Sequence, residues 1–433
     1  MVNFKKILFL LIFSFSFCLG NIKNLSIEKQ EKIIIFAPHP DDEILACAGL
    51  IQKIIKNQGE VYIVYLTNGD HNQLPYRIYE KKIILNPTDY IKLGEIRRKE
   101  SIKATGILGI PKENLIFLGY PDFGTLKIWE NYWGQNKPYK SFLTKVSYVP
   151  YKENYSFGRP YISESILTDI KEILKDIKPT KIFTTSPYDT NVDHRALYNF
   201  IRVAILEQEI KPEIFIYLIH FKNYPGKSEK LILPDIFSIF EIYNISLDEK
   251  EIENKKVALE CFKSQTIFKK NWFYSFVKNN EIFYKENDLK LKSNIIMESE
   301  KEAEYNEYNN ISLPFYVNLK NKGEFLEVEF IHKKKTILPT YYVFYFFPFK
   351  KQVEFSKMPK IKINLKKENE ILTSLNYLTP TNQLKYEKSK DKFNFKIKYE
   401  DINYPDYLFF SANIKIGNIN YDFIPWEVIK IEY

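Results

Sequence analysis

The sequence is poor in cysteine, with three in 433 residues. Cys18, Cys47 and Cys261 are too few and too scattered for a disulfide framework, and no Cys-x-x-Cys occurs that could hold a metal through thiolates. Cys47 and Cys261 fall in helical stretches and read as small buried hydrophobes. Glycine is scarce too, at 14 residues, and no Gly-x-Gly-x-x-Gly dinucleotide fingerprint is present. Charge of one sign is not concentrated: 63 basic and 54 acidic side chains leave a formal net charge of +9, spread along the chain. Runs such as Lys333-Lys334-Lys335 read as solvated strand ends, and without a dedicated motif no nucleic-acid partner is expected. Beyond residue 20, no apolar run approaches the roughly 20 residues that span a bilayer.

What is present supports a large core. Hydrophobic residues make up 45% of the chain, including 34 Phe and 32 Tyr, and the length suits two domains. Lys5-Lys6 precede an apolar run from Ile7 to Phe17, with Gly20 soon after. This is the layout of a signal peptide over residues 1–20, and it predicts export to the periplasm, cell surface or medium. Cys18 offers a lipid anchor as the alternative, with the bulky Phe17 weighing against it.

Residues Ile33–Ala37 form a short β-branched apolar run that reads as a buried strand. Pro38 and Pro40 end it, because proline has no N–H to add to a ladder. His39, Asp41, Asp42 and Glu43 follow, and then Ile44, Leu45, Ala48, Ile51, Ile54 and Ile55 recur at helical spacing. One imidazole and three carboxylates thus sit where a strand's carboxyl end meets a helix, the place where open α/β sheets bind ligands. His and carboxylate suit Zn²⁺, and a catalytic zinc site takes three protein ligands and leaves one position open. Adjacent Asp41 and Asp42 cannot meet one ion in the same geometry, so one can ligate while the other acts on water. Capping the next helix is the plainer use of either Asp, but His-Pro-Asp-Asp-Glu directly after an apolar strand outweighs it.

Later strand ends repeat the arrangement. Glu60–Leu66 reads as a strand leading into Thr67-Asn68-Gly69-Asp70, with His71 in the loop behind. Strands alternating with helices predict βαβ units and a parallel sheet. Residues 90–109 read as a long helix carrying Arg97-Arg98-Lys99-Glu100, and Leu115–Leu118 as a strand running into Gly119-Tyr120-Pro121-Asp122. Residues 123–160 are irregular and aromatic, and are expected to form a substrate lid. A helix over 161–177 and a strand over Lys181–Thr184 lead to Tyr188-Asp189-Thr190-Asn191-Val192-Asp193-His194-Arg195. His194, at the start of the next helix, is the natural third ligand beside His39 and one of the two aspartates. Phe215–Ile219 reads as a strand ending at His220, and residues 249–280 as helical.

Ala37-Pro38-His39-Pro40-Asp41-Asp42-Glu43 resembles the signature of the PIG-L/LmbE-like family of zinc-dependent de-N-acetylases. Further blocks follow in family order across about residues 31–285: Arg97-x-x-Glu100, the Gly-Tyr-Pro-Asp turn ending at Asp122, Asp193-His194, the strand ending at His220, and Ala258–Gln265. The resemblance implies a Rossmann-like, mostly parallel sheet with flanking helices. It implies Zn²⁺ held by His39, Asp42 and His194, with Asp41 as general base and Arg97, Asp122 and His220 toward a sugar. The family pattern His-Pro-Asp-His reads Asn191-Val192-Asp193-His194 here, and the residue at 191 would work paired with Asp193. Asn191 can donate to an oxyanion but cannot carry a proton. Either Asp41 then serves as both base and acid, or His220 or His71 substitutes, or activity is weak. The implied reaction removes the N-acetyl group from an N-acetylglucosamine-type sugar or glycoconjugate. Two readings stand beside it: an exported glycan-binding protein with a vestigial zinc site, and a zinc amidase acting on a non-sugar amide.

The composition changes after residue 288. Residues 289–310 are expected as a linker between a deacetylase-like domain at 21–288 and a second domain at 311–433. There, Ser312–Leu319, Glu324–His332, Thr340–Phe347, Lys360–Leu365, Phe393–Tyr399 and Tyr407–Ile416 are short strands without helices between them. That pattern predicts an all-β, sandwich-like domain for packing or polymer binding, with His332 structural.

Overall fold

The computed structural model describes residues 22–301, 313–333, 340–366, 371–376, 386–389, 392–417 and 419–433. The expected signal segment at 1–20, Cys18 included, lies outside the described residues, as do residues 302–310 of the expected linker. Among the described residues no helix is long and apolar enough to cross a membrane.

The first unit is built on β1 (Lys23–Asn24), β2 (Lys32–Ala37), β3 (Glu60–Thr67), β4 (Leu115–Tyr120), β5 (Lys181–Thr185), β6 (Glu213–Tyr217), β7 (Glu241–Ser246) and β8 (Asn280–Lys285). They form one sheet in the order β1-β7-β8-β6-β5-β2-β3-β4. Strands β2 to β6 run parallel, and β8 is antiparallel to β6 and β7. The helices of this unit are α1 (Asp42–Lys56), α2 (Gln73–Glu80), α3 (Pro87–Ile107), α4 (Thr125–Asn131), α5 (Ser163–Ile177), α6 (Val192–Gln208), α7 (Glu249–Leu259) and α8 (Lys263–Tyr274). Ile33, Ile34, Ile35 and Phe36 are all fully buried, so β2 is covered on both faces. Helix α3 starts three residues earlier than its apolar pattern predicts. Asn86 accepts from the Thr88 and Asp89 N–H groups in a capping box, and Pro87 takes the first helical position. The helical stretch expected over 249–280 is two helices, parted at Glu260–Phe262. Cys47 and Cys261 are free and buried, as expected.

The chain steps outward from β2 to β3 to β4, then returns through α5 to β5 on the other flank of β2. Connections leaving β2 and β5 therefore diverge, and a crevice opens beyond their carboxyl ends.

The second unit contains β9 (Leu289–Leu291), β10 (Asn294–Glu298), β11 (Glu300–Lys301), β12 (Phe315–Asn321), β13 (Phe325–His332), β14 (Thr340–Phe349), β15 (Lys360–Lys366), β16 (Ile371–Asn376), β17 (Tyr386–Ser389), β18 (Lys392–Lys398), β19 (Tyr407–Ile416) and β20 (Ile419–Ile431). The expected linker is thus strand at β9 to β11: β10 joins β12, β11 joins β20, and β9 runs parallel to β20. Two sheets result, β10-β12-β13-β18-β17 and β11-β20-β19-β14-β15-β16 with β9 beside β20. The first alternates cleanly; in β12, Phe315, Val317 and Leu319 are buried while Tyr316, Asn318 and Lys320 are not.

The second sheet is covered on both faces. In β14, Tyr342, Phe344 and Phe346 join the core between the two sheets. Val343, Tyr345, Phe347 and Phe349 on its other face join the core of the α/β unit. That is why Tyr342–Phe349 reads as an unbroken apolar run. Each fully buried Phe contributes about 1.5–3 kcal/mol of apolar burial, so the units share one continuous interior. Part of the expected lid at 123–160, the helix α4 and Trp133, is drawn into this seam, while Phe142, Tyr148 and Phe157 stay exposed. Trp129 and Trp133 are fully buried, and Trp129 packs against Phe200, Phe355 and Trp426. Aromatic area of that size is better used inside than over an open cleft.

Candidate active site

Three strand ends meet at the crevice. The β2 end delivers His39 and Asp41, with Asp42 opening α1; the β4 end delivers Asp122; the β5 end delivers Asp189, Asn191 and, in the first turn of α6, Asp193 and His194. Asp42 Oδ2 is the hub. It accepts the His39 backbone N–H at 3.0 Å and lies 3.2 Å from His39 Nδ1 and 3.2 Å from His194 Nε2. His39, Asp42 and His194 are all buried.

Each imidazole is held from behind by carboxylates. His194 Nδ1 lies 3.1 Å from Asp189 Oδ2, and Asp189 is itself fixed by the N–H groups of Asn191, Ile219 and His220. His39 Nε2 lies 3.1 Å from Asp122 Oδ1 and 3.2 Å from Asp193 Oδ2. Asp193 also accepts from the Phe123 and Thr125 N–H groups and from the Thr125 hydroxyl, and it is fully buried. Asp122 Oδ2 accepts the His71 N–H at 2.9 Å. Asp122 and Asp193 therefore orient His39, and both oxygens of each already meet protein partners.

Asp41 stands beside the hub at φ 134°, a conformation costly for any residue but glycine. Two groups hold it there. Glu43 Oε2 accepts the Asp41 N–H at 2.9 Å, and Ser101 Oγ bridges Glu43 Oε1 (2.6 Å) and the Tyr65 hydroxyl (2.7 Å). Arg97 donates to Asp41 Oδ2 at 2.8 Å and to the Pro40 and Gly69 carbonyls at 2.9 Å each. Arg97, expected toward a sugar, is only 4% exposed and turns its guanidinium to Asp41. Gly69 lets it approach, since a Cβ there would lie 2.1 Å from Arg97 Nη1. Burial pushes the Asp41 carboxyl up to about 7, with Arg97 opposing and Asp42 adding to the rise.

His220 is half-buried, stacked on Trp272 at 5.3 Å and 3°, and edge-on to His194 at 5.0 Å. Burial lowers its pKa to about 4, which keeps the ring neutral. His71 lies against Phe123 at 4.9 Å. The Asn191 side chain accepts the Asp193 N–H at 2.9 Å and so caps α6. Among the described residues its Nδ2 has no protein partner. Sequence reasoning gave no role to Asp189, Glu43 or Trp272. The signal for Asp189 was an Asp five residues before His194 on the same strand end, where an imidazole ligand needs a carboxylate behind it.

His39, Asp42 and His194 form a group with donor atoms close enough to hold one ion. Bonds of about 2.0–2.1 Å in a tetrahedral shell set donors roughly 3.3 Å apart, and the structure shows 3.2 Å on both sides of Asp42. The His194 ring nitrogens are buried without a properly aligned hydrogen bond. Burial alone would lower the His39 pKa, but Asp122, Asp193 and Asp42 outweigh it and raise it well above the usual range. The cluster thus draws positive charge, and a cation can take the place of those protons. The donors fit.

Residues 34–205 match the PIG-L family, described as GlcNAc-PI de-N-acetylase. The match lies within the α/β unit. The matched span carries His39, Asp41, Asp42, Arg97, Asp122, Asn191, Asp193 and His194, while His220 and the β unit lie beyond it. A glucosamine-6-phosphate deaminase-like protein of Bacteroides thetaiotaomicron is 25% identical over 194 residues, 41% of this chain and 28% of its own length. The chain therefore spans less than a third of that curated relative. The N,N'-diacetylchitobiose deacetylase of Pyrococcus horikoshii shares 20% identity at a TM-score of 0.37, over 58% of this chain and 82% of that one. A deacetylase of teicoplanin biosynthesis shares 15% at 0.39, over 58% and 96%. The 4-carboxy-2-hydroxymuconate hydratase of Pseudomonas putida shares 14% at 0.36, over 57% and 83%.

Proposed function

We propose that the protein is an exported, zinc-dependent N-deacetylase acting on an N-acetylglucosamine-type sugar or glycoconjugate. The observation that carries this reading is the convergence of His39 Nδ1 and His194 Nε2 on one oxygen of Asp42, each at 3.2 Å, with Asp41 alongside. The family description supports the sugar, and the pattern from Lys5 to Gly20 supports export. His39, Asp42 and His194 would hold the zinc, which would supply Lewis acidity for the acetamide carbonyl and lower the pKa of a water molecule toward about 7.

The chain's own groups do the rest. Asp41 takes the water's proton on Oδ1, since Arg97 occupies Oδ2. Asn191 spends its Oδ1 on the Asp193 N–H and has its Nδ2 for the developing oxyanion. Asp41 then returns the proton to the amine nitrogen as the C–N bond breaks, because an amide at 191 cannot carry it. Acetate and the free amine leave. Arg97 and Glu43 keep Asp41 aimed throughout.

The test is to quantify zinc in the protein from residue 21 onward, then to follow acetate release from N-acetylglucosamine and short chitooligosaccharides with and without a chelator. Stoichiometric zinc with chelator-sensitive release is the expected result. Asn191 in place of the family's His favours a second reading, a glycan-binding protein with a vestigial site. Glycan binding by a wild type that takes up no zinc and releases no acetate would support that reading and overturn the first.

A further inference from the structure

The seam between the two units reaches the metal centre from behind. Tyr188 stands one residue before Asp189, the carboxylate that holds His194 Nδ1 at 3.1 Å. Its hydroxyl donates to Glu427 Oε1 on β20 at 3.0 Å, and its ring packs edge-on to Phe237 at 5.5 Å. Arg195, directly after His194, lays its guanidinium 4.5 Å over the Phe423 ring, also on β20. Trp129, on the helix after the Asp122 turn, meets Trp426 of β20 edge-on at 5.4 Å. One strand of the β unit therefore touches both loops that bring carboxylates to the imidazoles.

The strand is shaped for this. Against β19, Glu427 pairs with Phe410 but Ile424 pairs with Ala412, so the register shifts around Pro425. Such a bulge re-aims side chains and tends to sit beside functional sites. Glu427 is 7% exposed and Tyr188 is half-buried, so their contact is a partly buried hydrogen bond between units.

We propose that β20 is the outer support of the metal centre. Through Glu427 on Tyr188 and Phe423 on Arg195 it fixes the loop that carries Asp189 and His194. The β unit then sets metal affinity and turnover and is not a detachable module. Glu427 and Tyr188 are positioning residues, acting through Asp189. Removing a partner behind a metal-bound histidine typically weakens metal binding 10- to 100-fold, and small displacements of a reacting group cost rate in the same way.

This inference rests on the zinc deacetylase reading, and the experiment separates the two. Zinc affinity of the full chain is measured by competition with a chromophoric chelator, alongside kcat and KM at saturating zinc. The variants are Tyr188→Phe, Glu427→Ala and Glu427→Gln. Tyr345→Phe is the control, because it removes a 3.0 Å bond to Glu130 elsewhere in the same seam. Tyr188→Phe and Glu427→Ala should weaken zinc binding about 10-fold or more and lower kcat with KM little changed. Glu427→Gln should restore both, since its amide oxygen still accepts from Tyr188, and Tyr345→Phe should leave zinc binding alone. Wild-type zinc affinity in Tyr188→Phe and Glu427→Ala overturns the inference, as does an equal loss in Tyr345→Phe. A wild type that takes up no zinc overturns the function reading along with it.

Discussion

Beyond β2, β4 and β5, the α/β unit packs His39, Asp42, Asp122, Asp189, Asp193 and His194 against one another, all of them buried. Between its sheets, the β unit packs Phe315, Phe330, Phe344, Phe346, Phe395 and Phe410. The two interiors obey opposite economics. Buried charges cost stability unless they are paired or hold a cation, and here six of them gather where the proposed reaction would use them. Buried phenyl rings return stability directly and perform no chemistry. The difference teaches where each kind of damage should appear: activity and metal in the first unit, stability in the second, both along the seam.

The sharpest break should come from His194→Ala, with zinc stoichiometry falling to zero and acetate release to background. Next is Asp41→Asn. It should keep its zinc and lose roughly 10²–10⁴ in kcat, the range for a positioned acid–base group; near-normal turnover would remove Asp41 from the mechanism. In the other unit, Phe346→Ala should cost about 3–5 kcal/mol in urea unfolding, while the folded fraction keeps its kcat. Asp122→Asn should weaken zinc binding about 10- to 100-fold with little effect on urea stability.

The smallest effect belongs to the seam. Burial lifts the Glu427 carboxyl to about 8, with Glu286 adding to the rise and Tyr188 and Arg202 opposing it. Glu286 is itself raised to about 7 by burial, against Tyr198 and Arg202 and with Asp288 adding. The folded chain thus keeps protons that the unfolded chain releases near the ordinary Glu value. This contribution is complete at low pH and is lost as pH rises through about 8. Melting temperature should decline from about pH 5 to about pH 8, less steeply in Glu427→Gln.

Much of the first unit was legible because its signals are local. Ile33–Ala37, Leu115–Leu118, Lys181–Thr184 and Phe215–Ile219 are apolar runs that became β2, β4, β5 and β6. His39, Asp42 and His194 each follow a strand, and a parallel sheet brings such ends together. Strand β7 was not foreseen, nor was β20, the longest strand, in which Pro425 interrupts the text. The protein partners of Arg97 and Asp193 were not legible, for one reason. Nothing local says whether a charged side chain will face a substrate or a neighbour, and here packing turned both inward. Trp129 misled similarly, since an aromatic loop and an aromatic anchor have the same composition.

One turn carries a wider consequence. At φ 134°, Asp41 is held where glycine would rest without strain, at a cost of about 1–3 kcal/mol for such residues. A glycine at 41 would relax the backbone but leave the buried Arg97 without its carboxylate. The same side chain that strains the turn therefore also neutralises the guanidinium behind it, so backbone strain and ion pair stand or fall together.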